Sequence, residues 1–105
     1  MPQNITPSTK TDNAGVHIIR TPGQFGQLVR AQRKQQGLTL EAVYSATGLT
    51  TRFLSEFERG KSNPSLGGAL AAANALGLEL VLVPRGDLRR LRALVDAVGQ
   101  GTEPQ

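Results

Sequence analysis

The stretch from Leu38 to Lys61, LTLEAVYSATGLTTRFLSEFERGK, constrains the fold of this chain more than any other feature. It predicts two short helices joined by a tight turn at Thr47-Gly48-Leu49. Thr39 and Thr50 stand where the two helices would begin, and a threonine hydroxyl there accepts from the free amides of the first turn. Gly48 lies in the turn, where we expect a positive φ that a Cβ would resist.

Apolar residues recur at the positions where these two helices would face each other and the rest of the domain. Val43, Leu54 and Phe57 are the residues predicted to pack the pair together. Two short packed helices with a glycine turn form a helix-turn-helix, whose second helix enters the major groove of DNA.

The stretch resembles the helix-turn-helix of the Xre/Cro and phage-repressor family. The matching features are the Thr39 cap, Val43, the turn Gly48, Leu54 in the apolar slot of the second helix, and the closing Glu58-Arg59-Gly60-Lys61. With the residues that follow Gly60, the chain looks most like the HipB group of that family, over roughly residues 19 to 85.

Two positions depart from the family pattern. Leu40 stands where the family usually has a Gln that touches a phosphate and braces the recognition helix. Tyr44 stands where the family usually has Ala, because the two helices approach closely there. We therefore expect Tyr44 to tilt outward or to widen the crossing.

The second helix, about Thr51 to Arg59, is predicted to read DNA, and its N-terminal residues would reach base edges. Arg52 is the main candidate, since a guanidinium can bond guanine O6 and N7 together. Glu56 is expected to accept from cytosine N4 or to reject other sequences by repulsion. The alternative for these residues is a solvated helix face.

The predicted contacts fall into two groups. Base contacts are expected from Thr51, Arg52, Ser55 and Glu56. Phosphate contacts, which supply affinity and register, are expected from Thr39, Thr50, Arg59, Lys61, Ser62 and Asn63.

An ion pair is implied by the family resemblance. In the resembled family, an arginine on the first helix pairs with the glutamate near the end of the recognition helix, which here are Arg33 and Glu58. The helix that carries Arg33 is predicted to begin at Thr21-Pro22 and to end at Gly37. The alternative is that Arg33 is merely solvated.

A short apolar run follows the next predicted helix, which Ser65 would cap and Gly77 would end. The run from Leu78 to Val83 is short, includes the β-branched Val81 and Val83, and stops at Pro84, which predicts a strand. A lone strand leaves its amides and carbonyls unpaired, and pairing with a second copy across a two-fold axis is the simplest solution. The predicted dimer interface is Leu78, Leu80, Val81, Leu82 and Val83.

The predicted fold class is mainly α, a lambda-repressor-like helix-turn-helix domain with a short C-terminal dimerising β-strand and a terminal helix. Residues 1–15 are expected to be a flexible N-terminal arm and residues 16–77 the DNA-binding domain. Residues 78–98 would hold the dimerisation strand and a C-terminal helix, which packs within the dimer or binds a partner protein. Residues 99–105 are expected to be a flexible tail.

Composition limits the other classes of function. The chain has 105 residues, a net charge of +4, no cysteine, and His17 as its one histidine. We therefore expect no metal site, no cofactor and no catalytic residues. No apolar run reaches the roughly 18 residues that span a bilayer, so the chain is expected to be cytoplasmic, associated with the nucleoid, and not to bind membranes.

These observations predict a dimeric, sequence-specific repressor that binds double-stranded operator DNA. Resemblance to HipB-type antitoxins implies, in addition, repression of its own operon and neutralisation of a HipA-like kinase toxin. One alternative is a stand-alone Xre-type regulator without a toxin. Another is a protein-interaction module that has lost DNA binding, which Leu40, Tyr44 and Glu56 make conceivable.

Overall fold

A computed structural model describes residues 15–61 and 63–93, and its described part is mainly α-helical. One unit spans Ile19–Leu80; the described residues 15–18 and 81–93 belong to a second unit. The first unit contains α1 (Pro22–Gln35), α2 (Leu40–Thr47), α3 (Thr51–Glu58) and α4 (Leu66–Ala75). The second contains a 3₁₀ turn, Arg85–Asp87, followed by α-helical residues 88–93, here called α5.

Each of the first four helices begins at a hydroxyl side chain, which satisfies an amide that the helix itself leaves unpaired. The Thr39 and Thr50 hydroxyls accept from the amides of Ala42 and Phe53, both at 3.0 Å. Ser65 caps α4 in the same way, through the amide of Gly68 at 2.8 Å. The predicted caps of α2, α3 and α4 are therefore confirmed.

The core lies between the four helices of the first unit, in which α3 and α4 each pack on both α1 and α2. Phe57 is 1% exposed and lies edge-on to Phe25, with ring centroids 5.3 Å apart. Phe53 also stacks on Phe57, with ring centroids 5.9 Å apart, and so packs against the core. The fully or nearly fully buried apolar residues are Val29, Val43, Leu54, Phe57, Ala69, Ala72, Ala73 and Leu76.

Helices α1 and α3 touch at Gly26. A Cβ built on Gly26 would lie 1.8 Å from the carbonyl oxygen of Phe57, which is far inside van der Waals contact. Because that atom belongs to the backbone of α3, no side-chain rotation relieves the overlap. Gly26 therefore fixes how closely α3 approaches α1.

Gln32 of α1 and Gln36, the residue that follows α1, hold the end of α4. The side-chain amides of Gln32 and Gln36 both donate to the carbonyl oxygen of Leu76, at 3.2 and 2.7 Å. A helix leaves its last carbonyls without intrahelical partners, so these amides stabilise the C-terminal end of α4 and attach it to α1.

The predicted strand from Leu78 to Val83 is wrong for the single chain. Residues 78–84 have no regular secondary structure, and no strand occurs anywhere in residues 15–61 and 63–93. A strand requires a hydrogen-bonded neighbour, and the described chain supplies none for this segment. The predicted C-terminal helix begins as a 3₁₀ turn and is α-helical over residues 88–93.

Several predictions concern residues outside the described ranges. They include the arm over residues 1–14, Ser62, the end of the C-terminal helix over residues 94–98, and the tail over residues 99–105. Among the helices of the described ranges, none combines the length and the apolar character that crossing a bilayer requires.

Candidate nucleic-acid interface

The turn between α2 and α3 is held by three hydrogen bonds. The Gly48 amide donates to the carbonyl of Tyr44 at 2.7 Å, and Gly48 has a φ of 79°. The Thr47 hydroxyl donates to the carbonyl of Val43 at 2.7 Å and accepts from the amide of Leu49 at 3.0 Å. The left-handed conformation predicted for Gly48 is confirmed, and the side chain of Thr47 fixes the direction in which α3 departs.

Helix α3 has one buried and one outward side. Leu54 and Phe57 are each 1% exposed. The outward side is formed by positions 51, 52, 55 and 56, which lie on one face of an α-helix because it has 3.6 residues per turn. In the structure Thr51, Ser55 and Glu56 are half-buried and Arg52 is exposed. All four residues predicted to contact bases therefore lie on one face of one short helix.

Arg52 and Glu56 are joined on this outward face. Arg52 Nε donates to Glu56 Oε2 at 3.3 Å, and the Arg52 side chain is 87% exposed. The two residues stand one helical turn apart, a spacing at which opposite charges attract. The spacing of four residues is present in the sequence and is the signal that could have predicted this pair.

A buried ion pair fixes α3 to α1. Arg33 Nε and Nη2 donate to the two carboxylate oxygens of Glu58 at 2.7 and 2.8 Å. The remaining nitrogen, Nη1, donates to the carbonyl of Leu38 at 2.7 Å. The hydrogen bond to Glu58 raises the pKa of Arg33 above its ordinary value. Burial of Arg33 lowers this pKa by less, and the negative charge of Glu58 raises it further. The implied Arg33–Glu58 pair is present.

The chain turns sharply after α3. Gly60 has a φ of 86°, and the Lys61 amide donates back to the carbonyl of Glu56 at 3.0 Å. Asn63 also has a positive φ, of 62°, and is the one non-glycine residue with this conformation in the described part of the chain. Arg59, Lys61 and Asn63 are exposed; Ser62 lies outside the described residues.

The remaining predicted phosphate contacts lie at helix starts. Thr39 and Thr50 are exposed residues at the N-termini of α2 and α3. Each hydroxyl oxygen accepts from a backbone amide, which leaves its hydrogen free to donate outward. Their places are therefore compatible with phosphate contacts.

The two departures from the family pattern have different outcomes. Leu40 is partly buried and packs against the core. Tyr44 is 48% exposed, which agrees with the expected outward tilt of a ring too large for a close crossing.

Within the described residues, no three His, Cys, Asp or Glu side chains come together as a metal site would require. Sequence reasoning also missed Gly26, Gln32 and Gln36 as residues that position the site. Each acts through an atom distant in the chain, namely the Phe57 or Leu76 carbonyl. No local sequence pattern predicts such a contact.

Two short helices, α2 and α3, are joined by a glycine turn, and α3 exposes a polar face while its other face packs on α1. This arrangement defines a helix-turn-helix protein. A family model described as "Helix-turn-helix" matches residues 29–83. The chain belongs to this family, in its Xre type.

The chain is 32% identical over 72 residues to the uncharacterized HTH-type transcriptional regulator y4mF of Sinorhizobium fredii, covering 69% of this chain and 95% of y4mF. It is 32% identical over 77 residues to y4dL of the same organism, an uncharacterized regulator of the same type. That match covers 73% of this chain but only 39% of y4dL, so the chain spans well under half of that relative.

Among solved structures, the chain resembles HipB in a HipB-O4 20mer complex. The TM-score is 0.62 at 23% identity, over 67% of this chain and 99% of that one. The likeness supports the same fold.

Proposed function

We propose that this chain is a sequence-specific transcriptional repressor that binds operator DNA as a homodimer. One observation carries the proposal: α3 presents Thr51, Arg52, Ser55 and Glu56 on an outward face while its other side is fixed in the core. A reading helix must be held rigidly, because base recognition depends on hydrogen-bond geometry. The Arg33–Glu58 pair and the Gly26 contact supply that rigidity.

Arg52 is the proposed principal reader of a base. Its Nε is engaged by Glu56, which leaves both terminal nitrogens of the guanidinium for a ligand. Two terminal N–H donors match the O6 and N7 acceptors of guanine. Thr51 and Ser55 are short enough to let α3 approach the floor of the groove, and they add single hydrogen bonds.

Phosphate contacts surround this face in the proposal. The N-terminus of α2 at Thr39 and that of α3 at Thr50 present free amides and a partial positive charge, which favour anions. Arg59, Lys61 and Asn63 are exposed in the turn after α3. They would contact DNA phosphates near the C-terminal end of α3. Ser62 completes the proposed set of phosphate contacts.

A homodimer is proposed through Leu78, Leu80, Val81, Leu82 and Val83. The exposed fractions of Leu80, Val81 and Leu82 are 46%, 63% and 91%, a run of apolar surface that burial against a second copy would stabilise. Two copies related by a two-fold axis would place two α3 helices on a palindromic site, one helical turn of DNA or a multiple apart.

A further part of the proposal is that the repressor is the antitoxin of a HipBA-type system, which controls its own operon and neutralises a HipA-like kinase. It rests on the resemblance to HipB-type proteins. The test is whether the chain co-purifies with a HipA-like kinase, if one is encoded by an adjoining gene. If no such gene adjoins it, the proposal reduces to a stand-alone Xre-type regulator.

Fluorescence anisotropy with a duplex from upstream of the gene tests the main proposal. Binding should fall steeply as salt rises from about 50 to about 300 mM, because phosphate contacts release counterions. Arg52→Ala should reduce the preference for the operator over a scrambled duplex. Lys61→Ala should instead weaken both duplexes by a similar factor.

The competing function is a protein-interaction module without DNA binding. It is favoured if the chain is folded and dimeric yet shows equal, weak affinity for the operator and the scrambled duplex at low salt. Tyr44, 48% exposed beside the turn, is the feature that favours this function.

A further inference from the structure

Residues 51–61, which contain α3 and the turn after it, have a net charge of only +1. Arg52 is joined to Glu56, and Arg33 is joined to Glu58. Of the cations in and directly after α3, only Arg59 and Lys61 form no ion pair within the described residues. Because phosphate neutralisation supplies most sequence-independent affinity for DNA, a protein with this reading face needs further cations elsewhere.

The segment from residue 81 to residue 93 holds a dense group of cations. It contains four arginines and one acid, Asp87, whereas residues 19–80 contain seven cations and four carboxylates. Both stretches therefore have a net charge of +3, although one is about a fifth as long as the other. The four arginines are Arg85, Arg89, Arg90 and Arg92.

These arginines are available for a ligand. All four are exposed, and none forms an ion pair with another residue in the described ranges. Arg85, Arg89 and Arg92 line one shallow concave surface with Leu88 and Ala93. The spacing of three to four residues places such side chains on one side of a helix. We call this surface, formed by Arg85, Leu88, Arg89, Arg92 and Ala93, the arginine face.

We propose that the arginine face is a second, sequence-independent contact to DNA phosphates. The inference rests on the proposed function, in which α3 binds the operator. Guanidinium groups donate in a planar fork that matches phosphate oxygens. The arginine face and α3 belong to one polypeptide, so both can act on the same DNA molecule within a single complex.

An acidic protein surface could also pair with arginines, but the charges favour DNA. The reading face supplies base contacts and little net charge, and the arginine face supplies charge without an acceptor among the described residues. Together they provide the two terms, base choice and phosphate affinity, that specific DNA binding requires.

The test measures the salt dependence of DNA affinity for the full chain and for Arg89→Gln/Arg92→Gln. The slope of log K against log salt should become shallower by about 0.9 for each phosphate that the variant no longer neutralises, so by about 1.8 per subunit and about 3.6 for the proposed homodimer. Affinity for the operator and for a scrambled duplex should fall by the same factor. Arg89→Lys/Arg92→Lys keeps the charge and should keep most of the slope.

A matched pair of single variants separates the arginine face from net charge. Arg89→Gln and Arg90→Gln remove the same charge at neighbouring positions, but Arg90 does not line the concave surface. Arg89→Gln should reduce the slope by about 0.9 per subunit, so by about 1.8 for the proposed homodimer, and Arg90→Gln by less than half of that. Thermal unfolding by circular dichroism should be equal for both, which shows that folding is intact.

An unchanged slope in Arg89→Gln/Arg92→Gln overturns the inference and assigns the arginine face to another partner. Equal effects of Arg89→Gln and Arg90→Gln overturn it too, because general charge would then explain them. In either case, operator preference that disappears in Arg52→Ala would leave the proposed function standing. Failure of the unsubstituted chain to prefer its operator would instead remove the proposed function itself.

Discussion

Arg33 and Glu58 meet in a two-pronged ion pair between α1 and α3, and their side chains are only 10% and 4% exposed. A third hydrogen bond ties Arg33 to the carbonyl of Leu38. One arginine thus connects the helix-turn-helix to its support at the end of α3 and at the start of the segment leading to α2.

The first prediction concerns this pair. Arg33→Met should lower the free energy of unfolding by about 3–5 kcal/mol, because it leaves the Glu58 charge buried without a partner. Arg33→Met/Glu58→Leu should be clearly less destabilised, since two apolar groups have no charge to desolvate. Urea unfolding of the single and double variants measures the difference. Equal stabilities of the two would contradict the coupling of the charges.

The raised pKa of Arg33 predicts how its contribution to stability responds to pH. A cation with a folded-state pKa above its unfolded value stabilises fully below the unfolded pKa, and the benefit disappears only as pH rises through the folded pKa. The contribution of Arg33 should therefore stay constant from about pH 6 to about pH 10. Urea unfolding across that range, with Arg33→Met as the reference, checks it.

The second prediction compares two helical glycines. Gly26→Ala should destabilise the fold by about 3 kcal/mol, because its methyl group would collide with the Phe57 carbonyl. Gly67→Ala is the matched control in α4, where a Cβ meets nothing within 4 Å. It should stabilise by up to about 1 kcal/mol, since alanine favours helices. Thermal unfolding distinguishes them, and similar melting temperatures would show that α1 and α3 can move apart.

The third prediction concerns Glu56, which is joined to Arg52. Glu56→Gln should raise affinity for scrambled DNA and lower the preference for the operator, because the guanidinium is no longer held in one orientation and a negative charge is removed. Glu79→Gln removes a negative charge outside α3 and should leave the preference unchanged. Anisotropy titrations on both duplexes give the two affinities. An unchanged preference in Glu56→Gln would mean that Glu56 neither orients Arg52 nor contacts a base.

The fourth prediction concerns assembly. Leu82→Glu should shift the proposed dimer to monomer, because a buried charge would replace an apolar contact. Leu82→Met conserves volume and apolar character and should remain dimeric. Sedimentation velocity at several concentrations resolves the two species. A dimer that persists in Leu82→Glu would place the interface outside residues 78–83.

The features predictable from sequence are those set by neighbours along the chain. Thr39, Thr50 and Ser65 cap helices because the amides they bind lie three residues away. Gly48 was predictable because a positive φ is a local property. The Arg33–Glu58 pair spans 25 residues, and it was anticipated only through the family resemblance.

Other features depend on partners that local patterns do not reveal. The run from Leu78 to Val83 has the composition of a strand, but a strand exists only beside another, and the described chain offers it none. Gly26 looks like an ordinary helix residue until α3 is placed against it. The Arg52–Glu56 contact matches a one-turn spacing in the sequence, but that spacing does not decide whether exposed side chains bond to each other, to water or to DNA.

The amides of Gln32 and Gln36 that converge on the Leu76 carbonyl hold the residue at which the chain leaves α4. In the proposed dimer joined through residues 78–83, the position of Leu76 would influence the distance between the two α3 helices. Lengthening or shortening either glutamine side chain would then retune the preferred spacer between operator half-sites, with every base-contacting residue left intact.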